Sequence, residues 1–277
     1  MKLLFLTHHK CGSGWFNKIN FELFKKYGCV VHVLNDDILK HKNINDYYEE
    51  KKIGFLSYNN ANINLINLND DIRAIHVVRD PRDIIVSGYY SHKKVHPIYD
   101  TEEGRALEQH REILNNIDLN EGLIKEIEFS KKWYLDKLMG LSMVSSDKIL
   151  RLKLEDISAN TVEKYQEILT FYGLGVKGTK FNLALEKINQ IIVPLSKRNV
   201  FLQRKGICQS NICIKSFTKL IEEKSFKNIS GGREKGHEDS NSHFRKGVSG
   251  DWKTHFSQTH IKLFENSFPG LLERLNY

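Results

Sequence analysis

The sequence predicts an α/β fold: a single domain with a central parallel β-sheet flanked by helices. Three observations support this prediction. Short apolar runs recur along the chain, a helical pattern follows each run, and glycine, proline or aspartate stands at the breaks. The chain has 277 residues, enough for one such core, so one domain over residues 1–277 is expected. Folds of this kind bind ligands where the carboxyl ends of the strands turn into helices.

The first strand is predicted at Leu3–Thr7, an apolar run typical of a buried parallel strand. A glycine-rich break at Gly12–Gly14 follows it. Apolar residues then recur at helical spacing as far as Tyr27, and Gly28 is suited to end that helix. Cys29–Leu34 predicts a second buried strand. This strand–helix–strand order is what a parallel sheet requires.

The middle of the chain predicts one further strand and the start of a helix. Residues 35–70 are polar with weak periodicity, and no element is predicted there. Ala74–Val78 is predicted as the third strand. After it, Asp80 suits an N-cap, Pro81 suits the first helical position, and Asp83 is placed to reach back as a capping-box acid.

The remaining sequence completes the alternation of strands and helices. In order, it predicts a loop with broken helix over 93–120, a helix around Leu123–Leu138, a fourth strand at Lys148–Leu154, a helix from Asn160 to Tyr172, a helix capped by Ser216, a glycine-rich loop over 227–250 and a last helix around Ile261–Phe264. Four strands alternating with helices therefore form the predicted sheet.

Composition limits the class of protein and its partners. With 40% hydrophobic and 27% charged residues, a collagen-like, coiled-coil or wholly disordered chain is excluded. The net charge of +8 favours a polyanionic partner, namely a nucleotide, a nucleic acid, a sulfated or phosphorylated substrate or an acidic membrane, and does not choose among them. The apolar run near the N-terminus is shorter than the roughly 7–15 residues of a secretion signal, and no window is apolar enough for a membrane helix. A cytoplasmic protein without a membrane partner is expected.

The cysteines predict neither a disulfide framework nor a metal site. Four cysteines in a chain of this size fit reduced thiols. Cys208 and Cys213 stand five apart, and His237 and His243 would have to complete a zinc site. Because no second cysteine pair follows, reduced thiols are the better interpretation and no metal is expected.

The first chemically informative segment is His9–Trp15, between the first strand and the first helix. Small residues there let backbone N–H groups approach an anion, and a helix N-terminus adds positive potential. Lys10 adds a full charge and Ser13 a hydroxyl. The Gly-x4-Gly-Lys-[Ser/Thr] pattern of a Walker A loop is absent. The segment predicts a phosphate-binding loop, and a simple tight turn is the alternative.

The second segment is Val77–Ser87. Arg79 leaves the end of the third strand, and Ser87 lies one helical turn beyond Asp83. An arginine fork and a hydroxyl so placed are able to hold one phosphate. The alternative is an arginine that pairs with Asp80 or Asp83.

The third segment is Phe244–Lys253. Arg245 and Lys246 adjoin Gly247 in a loop, which suits capture of a phosphate by side chains and backbone N–H groups. The alternative is a solvated basic turn.

Together the three segments resemble the signatures of the PAPS-dependent sulfotransferases of the cytosolic type, where PAPS is 3′-phosphoadenosine 5′-phosphosulfate. Lys-x-Gly-Ser-x-Trp stands at Lys10–Trp15, Arg-Asp-Pro-Arg-Asp-x-x-x-Ser at Arg79–Ser87, and Arg-Lys-Gly-x-x-Gly-Asp-Trp-Lys at Arg245–Lys253. Their order and spacing match the family from residue 3 to about 265, and the third segment is the most specific. The resemblance implies a sulfotransferase domain with a P-loop-NTPase-like phosphate-binding loop after strand 1.

The resemblance also implies the cofactor, its product and the residues that bind it. PAPS would donate a sulfuryl group to a hydroxyl or amine and leave as adenosine 3′,5′-bisphosphate (PAP). Lys10 would also be catalytic, because it can neutralise charge on the leaving oxygen. The implied contacts are Lys10, Cys11, Gly12, Ser13, Gly14 and Trp15 for the 5′-phosphosulfate, Arg79, Ser87, Arg245, Lys246 and Gly247 for the 3′-phosphate, and Trp15 with Phe217 for the adenine.

The catalytic base is not fixed by the resemblance. Many members of the family have a histidine before the second signature, whereas the corresponding segment here, Phe55–Asn60, has none. His9, the pair Asp36 and Asp37 and, less favoured, His8 are candidates. Leu154 also replaces a tyrosine that the family has before Glu-Asp.

Three functional classes follow from this. The first is an active sulfotransferase, the second a nucleotide-binding homologue with impaired catalysis, and the third a kinase or nucleic-acid binder. No nucleic-acid partner is expected, because no basic patch accompanies a recognised nucleic-acid-binding fold. The sequence does not indicate the acceptor or the oligomeric state.

Overall fold

The computed structural model describes residues 2–35, 43–62, 64, 66, 68, 71–193 and 206–277. The chain forms two compact units. The first unit consists of Met1–Val78 and Ser145–Ser225, and the second of Arg79–Val144 and Phe226–Tyr277. The first unit contains the β-sheet, and the second is helical in its described elements.

The sheet has five parallel strands in the order β2-β3-β1-β4-β5. β1 pairs on both sides, with Leu4 opposite Leu56 of one neighbour and Ala74 of the other. The predicted α/β class with a parallel sheet is therefore confirmed. The strands are β1 Lys2–Leu6, β2 Val31–Asn35, β3 Phe55–Asn59, β4 Ile72–Val78 and β5 Ile149–Lys153.

Helices connect the strands and build the second unit. Two π-helical segments, Ser91–Val95 and Lys131–Leu135, directly continue two of them. In chain order the α-helices are α1 Ser13–Lys26, α2 Ile44–Lys51, α3 Pro81–Tyr90, α4 Glu102–Asn116, α5 Leu119–Ser130, α6 Asp136–Ser142, α7 Leu154–Ala159, α8 Thr161–Phe171, α9 Lys180–Ile192, α10 Ile214–Glu223, α11 Phe226–Ile229, α12 Gln258–Ser267 and α13 Leu271–Leu275.

The core of the first unit lies between the sheet and helices α1, α8 and α10. Phe24 of α1 stacks on Phe55 of β3 with ring centroids 3.8 Å apart. Burying one such ring stabilises the fold by about 1.5–3 kcal/mol. The hydroxyl of the buried Tyr48 donates to the carbonyl of Leu3 at 2.6 Å, so this tyrosine also satisfies its polar atom.

The predicted start of α3 is confirmed, but the role given to Asp83 is wrong. Asp80 is the N-cap and accepts from the N–H of Arg82 at 2.9 Å, and Pro81 opens the helix. Asp83 does not reach back to this cap. It is buried and accepts from the backbone N–H groups of Gly250 and Trp252 instead.

Two elements lie where none was predicted in the polar stretch 35–70, namely α2 and β3. Phe55, Leu56, Ser57 and Tyr58 of β3 are all buried. The strand lacks a continuous aliphatic run because Ser57 and Tyr58 interrupt it. Polar residues of this strand are buried with hydrogen-bonding partners, so a search for apolar runs does not detect it.

Two further predictions are wrong. Glu102–Asn116, within the stretch predicted as a loop with broken helix, is a helix whose N-cap Thr101 accepts from Gly104 N–H at 3.0 Å. Its few apolar residues made its pattern weak. Ser216 does not cap α10, because that helix begins at Ile214. The Ser216 hydroxyl accepts from Lys26 Nζ at 2.8 Å.

No helix among the described residues is both long and apolar enough to cross a membrane. The cytoplasmic location and the single domain over 1–277 stay predictions.

Candidate functional site

The loop between β1 and α1 has a backbone suited to anions. Lys10 has a φ of +58° and Gly12 a φ of +78°, so left-handed residues alternate along it. The fully buried Cys11 anchors the loop, and its N–H donates to the His8 carbonyl at 3.1 Å. Successive N–H groups in such a turn form a concave anion-binding surface. The first turn of α1 adds further N–H groups that no helical carbonyl can accept.

The two glycines of this loop have different surroundings. A Cβ on Gly12 would lie 3.0 Å from Leu154 Cδ1, in a backbone conformation that disfavours side chains. Gly14 lies in the first turn of α1, and apart from its chain neighbours and its own helix backbone, no atom of the described residues lies within 4 Å of an added Cβ. Leu154 therefore supports the loop from one side, whereas the helix N-terminus at Ser13 and Gly14 is open.

The two residues predicted to flank an adenine differ in exposure. Trp15 is half-buried, and its Nε1 donates to the carbonyl of Lys224 at 2.7 Å. Phe217 is fully buried in the core of the first unit. A ring without an exposed face offers nothing to a ligand. The adenine contact of Phe217 stays a prediction that its burial does not support.

A chain of hydrogen-bonded side chains joins β4 and β5 of the first unit to the loop that follows β1. Arg151 Nε donates to His76 Nδ1 at 3.1 Å, and His76 Nε2 lies 2.9 Å from His8 Nε2. A guanidinium only donates, so His76 Nδ1 accepts and His76 Nε2 carries the proton that His8 Nε2 accepts. Burial lowers the pKa of His76 well below its ordinary value, with His8 and Arg151 as further causes. His8 Nε2 is thus engaged within the protein.

The candidate bases are placed as follows. His9 is half-buried in the turn directly before Lys10. Asp36 and Asp37 lie outside the described residues. The segment Phe55–Asn60, which lacks the family's histidine, is mostly β3. The structure leaves the base unassigned.

In the second unit, Arg79 is half-buried between β4 and α3, and Ser87 is half-buried within α3. The carboxylate of Asp80 forms a two-point pair with Arg82, at 2.9 Å to Nε and 2.8 Å to Nη2. The guanidinium of Arg82 lies 3.7 Å from the ring centroid of Trp252. Asp80 therefore pairs with Arg82, and the pairing of Arg79 with Asp80 or Asp83 stays a prediction.

The cations of the third segment converge on two carboxylates of the second unit. Arg245 donates to Glu238 at 2.9 Å and to Asp251, and Lys246 Nζ lies 2.5 Å from Asp251 Oδ1. Burial alone would raise the pKa of Asp251, but hydrogen bonds from Lys246 and Arg245 hold it below its ordinary value. The guanidinium of Arg245 also lies 4.5 Å from the ring centroid of Tyr90. The two cations already bind carboxylate oxygens, so another oxyanion would have to replace part of these contacts.

Gly247 follows these cations and lies against a half-buried aromatic ring. It has a φ of +68°, and a Cβ there would lie 2.5 Å from Phe226 Cε2. Sequence reasoning missed Phe226, although this aromatic residue directly precedes the polar glycine-rich loop. Its position next to a predicted phosphate contact makes it a better aromatic candidate than Phe217.

The loop that carries the cations is organised around Arg233. Its guanidinium donates to the carbonyls of His237, Phe244 and Arg245, at 3.2, 2.7 and 2.8 Å. Five N–H donors in a planar fork are suited to hold several carbonyls together. The cation pair is thus presented by a loop with its own hydrogen-bond framework.

Comparison with known proteins identifies the family. A family model described as "Sulfotransferase domain" matches residues 2–275. Sulfotransferase 2A2 of Rattus norvegicus and sulfotransferase 2A1 of Homo sapiens are each 24% identical over 197 residues, which is 71% of this chain and 55% of theirs. The chain thus spans about half the length of these curated relatives.

One solved structure supports the fold. Mouse sulfotransferase SULT7A1, crystallised in complex with PAP, superposes with a TM-score of 0.51 at 15% identity, covering 98% of this chain and 83% of that one. At this identity the likeness concerns the fold. Because the family model matches nearly the whole chain, the protein belongs to the family that carries the sulfotransferase domain.

Proposed function

We propose that this chain transfers a sulfuryl group from PAPS to a hydroxyl or amine of an acceptor. The observation that carries the proposal is the loop Lys10–Gly14, whose left-handed residues and helix N-terminus suit an anion. Family membership supports the reaction class. The complex of the mouse relative with PAP supports the nucleotide.

Two groups of residues would bind the two anionic ends of the donor. Lys10 and the loop through Trp15 would take the 5′-phosphosulfate. Arg79, Ser87 and the group Arg245–Gly247 would take the 3′-phosphate. In support, Arg245 and Lys246 already bind the carboxylate oxygens of Asp251 and Glu238. The 3′-phosphate would replace part of this carboxylate contact. Phe226, next to Gly247, is added as an aromatic candidate.

During the transfer, negative charge develops on the bridging oxygen of PAPS. The acceptor oxygen or nitrogen forms a bond to sulfur while the bond from sulfur to the bridging oxygen of PAPS breaks. The bridging oxygen leaves with the electron pair as part of PAP. Lys10, half-buried beside the loop amides, is placed to stabilise that charge.

The acceptor must lose its proton during transfer. His9 stands next to Lys10 and is the described candidate for the base. His8 is fully buried with its Nε2 bonded to His76, so it is not placed to receive this proton.

A second function has one specific observation in its favour. The segment 55–60, where the family commonly has a histidine, contains none. There Ser57 donates to Asn17 at 2.6 Å within the fold. This favours a nucleotide-binding homologue with impaired catalysis as the alternative.

Two measurements test these functions. Calorimetry with PAP and 5′-AMP tests the donor site, and PAP should bind more tightly because of the 3′-phosphate. Incubation with sulfur-labelled PAPS and a panel of phenols, alcohols and amines tests turnover. Label transfer supports the enzyme, whereas tight PAP binding without transfer to any acceptor supports the alternative. Equal affinity for the two nucleotides would reject the 3′-phosphate contacts.

A further inference from the structure

Three helical segments of the second unit bring two histidines and a glutamate together. His92 lies on the π-helical segment Ser91–Val95, His110 on α4 and Glu126 on α5. His92 Nδ1 is 3.0 Å and His110 Nε2 is 2.9 Å from the Glu126 carboxylate. The side chains of His92 and Glu126 are fully buried, and that of His110 is 6% exposed.

The spacing of these atoms is close to that of a metal site. One ligand atom from each of the three residues lies within 4.8 Å of the others. Zinc binds histidine nitrogen and carboxylate oxygen at about 2.0–2.2 Å, which separates tetrahedral ligands by about 3.3–3.5 Å. The nitrogen–oxygen distances here are shorter by only a few tenths of an ångström. A small outward rotation of the side chains is enough to admit one ion.

The surrounding residues hold the three side chains in place. Ser130 Oγ donates to Glu126 Oε1 at 2.8 Å, which fixes the carboxylate. The ring of His110 stacks on Phe129 at 4.1 Å with an interplanar angle of 3°. Arg111 Nε donates to the carbonyl of His92 at 2.7 Å. The hydrogen bond from Ser130 is of the kind that orients a metal ligand, and the bond from Arg111 holds the backbone at His92.

The backbone around the cluster is also unusual. His92 lies in one π-helical segment, and a second, Lys131–Leu135, begins directly after Ser130. π-helical turns are rare and occur frequently at functional sites, because the extra residue redirects a side chain. On α3, a Cβ on Gly88 would lie 2.4 Å from Glu126 Oε1. The absence of a side chain at Gly88 therefore makes room for the carboxylate.

We propose that His92, His110 and Glu126 bind one divalent transition-metal ion of the zinc type. Two imidazole nitrogens and one carboxylate oxygen form a donor set that zinc accepts. The three ligands come from three different helical segments of the same unit, so the ion would fasten these segments together. The proposal is independent of the sulfuryl transfer proposed above.

Metal titration of the purified full-length chain tests the proposal. After removal of metal with a chelator, zinc chloride is titrated in a calorimeter, and one ion per chain is expected. Cobalt chloride is then used as a spectroscopic probe, because the chain also has free cysteines. Visible ligand-field bands without a near-ultraviolet thiolate band are expected for nitrogen and oxygen ligands. Absence of binding, or a spectrum dominated by thiolate, would overturn the site.

Variants locate the ion. His110→Gln and Glu126→Gln should each weaken zinc binding by at least about tenfold. His237→Gln is the matched control, because His237 is an exposed histidine of the same unit. Circular dichroism checks the fold of each variant. If Glu126→Gln does not fold, the zinc affinity of His110→Gln and the cobalt spectrum of the wild-type chain still test the site. Unchanged affinity in a folded His110→Gln means that the cluster is a hydrogen-bond network only and overturns the proposal.

Discussion

The buried carboxylate of Asp83 accepts a hydrogen bond from the backbone N–H of Trp252 at 2.9 Å. The same carboxylate accepts a second from Gly250 N–H at 2.7 Å. One residue earlier, Arg82 lies over the ring of Trp252. Residues from the second and third sequence signatures, about 170 positions apart, thus form one structure. Asp251 stands between Gly250 and Trp252 and accepts from Arg245 and Lys246, so the contact with Asp83 holds the turn that carries this carboxylate.

We predict that Asp83→Asn destabilises the protein by about 1–3 kcal/mol. The amide retains one acceptor but directs its NH₂ group at a backbone N–H, which leaves a buried donor without an acceptor. Chemical denaturation measures the change in the free energy of unfolding. Asp100→Asn is the control, because the side chain of Asp100 is 98% exposed in its pair with Arg105. A loss no greater than in this control would show that the two N–H bonds contribute little.

The sequence predicted those elements whose pattern is local. Apolar runs indicated β1, β4 and β5, and Asp80 with Pro81 indicated the start of α3. β3 was missed, because Ser57 and Tyr58 interrupt its apolar run and only its pairing with β1 and β2 identifies it as an inner strand. Local patterns carry no information on such long-range pairing.

The residues of the candidate functional site were likewise predicted only where the sequence pattern is local. The signature segments placed Lys10 and Arg245 on loops, as the structure has them. Their partners were not predictable: Asp83 resembles a capping acid in sequence, yet it binds a loop far along the chain. His110 and Glu126 are separated along the sequence and belong to no spacing pattern of metal ligands. Only packing of the helices brings them together.

The two glycines of the first loop should respond in opposite ways to alanine. Gly12→Ala forces a side chain into a left-handed conformation at 3.0 Å from Leu154 Cδ1, so both stability and PAP affinity should fall. Gly14→Ala is the matched control for stability alone, because Gly14 is helical with open space beside it but belongs to the proposed phosphosulfate contacts. It should stabilise the fold by about 0.5–1 kcal/mol. Chemical denaturation measures the stability of the variants, and calorimetry measures the affinity of Gly12→Ala for PAP. An equal loss of stability in both variants would contradict the assigned geometry.

The carboxylate of Glu238 should compete with the donor for the cation pair. It lies 2.9 Å from Arg245 and 4.0 Å from Lys246. Glu238→Gln should therefore tighten PAP binding, whereas Arg245→Ala should weaken it by about 1.5–3 kcal/mol. Calorimetry with PAP measures both changes, with 5′-AMP as the reference ligand.

A control for Glu238 comes from the same loop. Glu234 pairs with Lys227 and not with the cation pair. Glu234→Gln should leave PAP affinity unchanged apart from a small long-range charge effect. If it tightens binding as much as Glu238→Gln, the cause is net charge and not the local contact.

The buried His76 predicts how stability depends on pH. Its pKa is well below the ordinary value of 6.5, mainly through burial. Below pH 6.5, His76 is therefore protonated in the unfolded chain but still neutral in the folded one. The stability that is present above this pH is lost as the pH falls. Denaturation curves between about pH 8 and pH 5.5 should show this decline. His76→Gln should be less stable at high pH but have a shallower slope. An unchanged slope would assign the decline to other groups.

A variant of Lys10 tests whether this residue contributes more to sulfuryl transfer than to nucleotide binding. Its charge has most effect when the bridging oxygen becomes anionic, so Lys10→Ala should lower sulfuryl transfer by a factor of about 100–1000. PAP affinity should fall by a smaller factor, since PAP has no sulfuryl group and keeps its contacts to Arg245 and Lys246. Lys18→Ala is the control, an exposed lysine on α1, and it should alter neither quantity. The measurements are label transfer from PAPS under single-turnover conditions and calorimetry with PAP. Normal transfer with poor PAP binding would show that Lys10 only anchors the nucleotide.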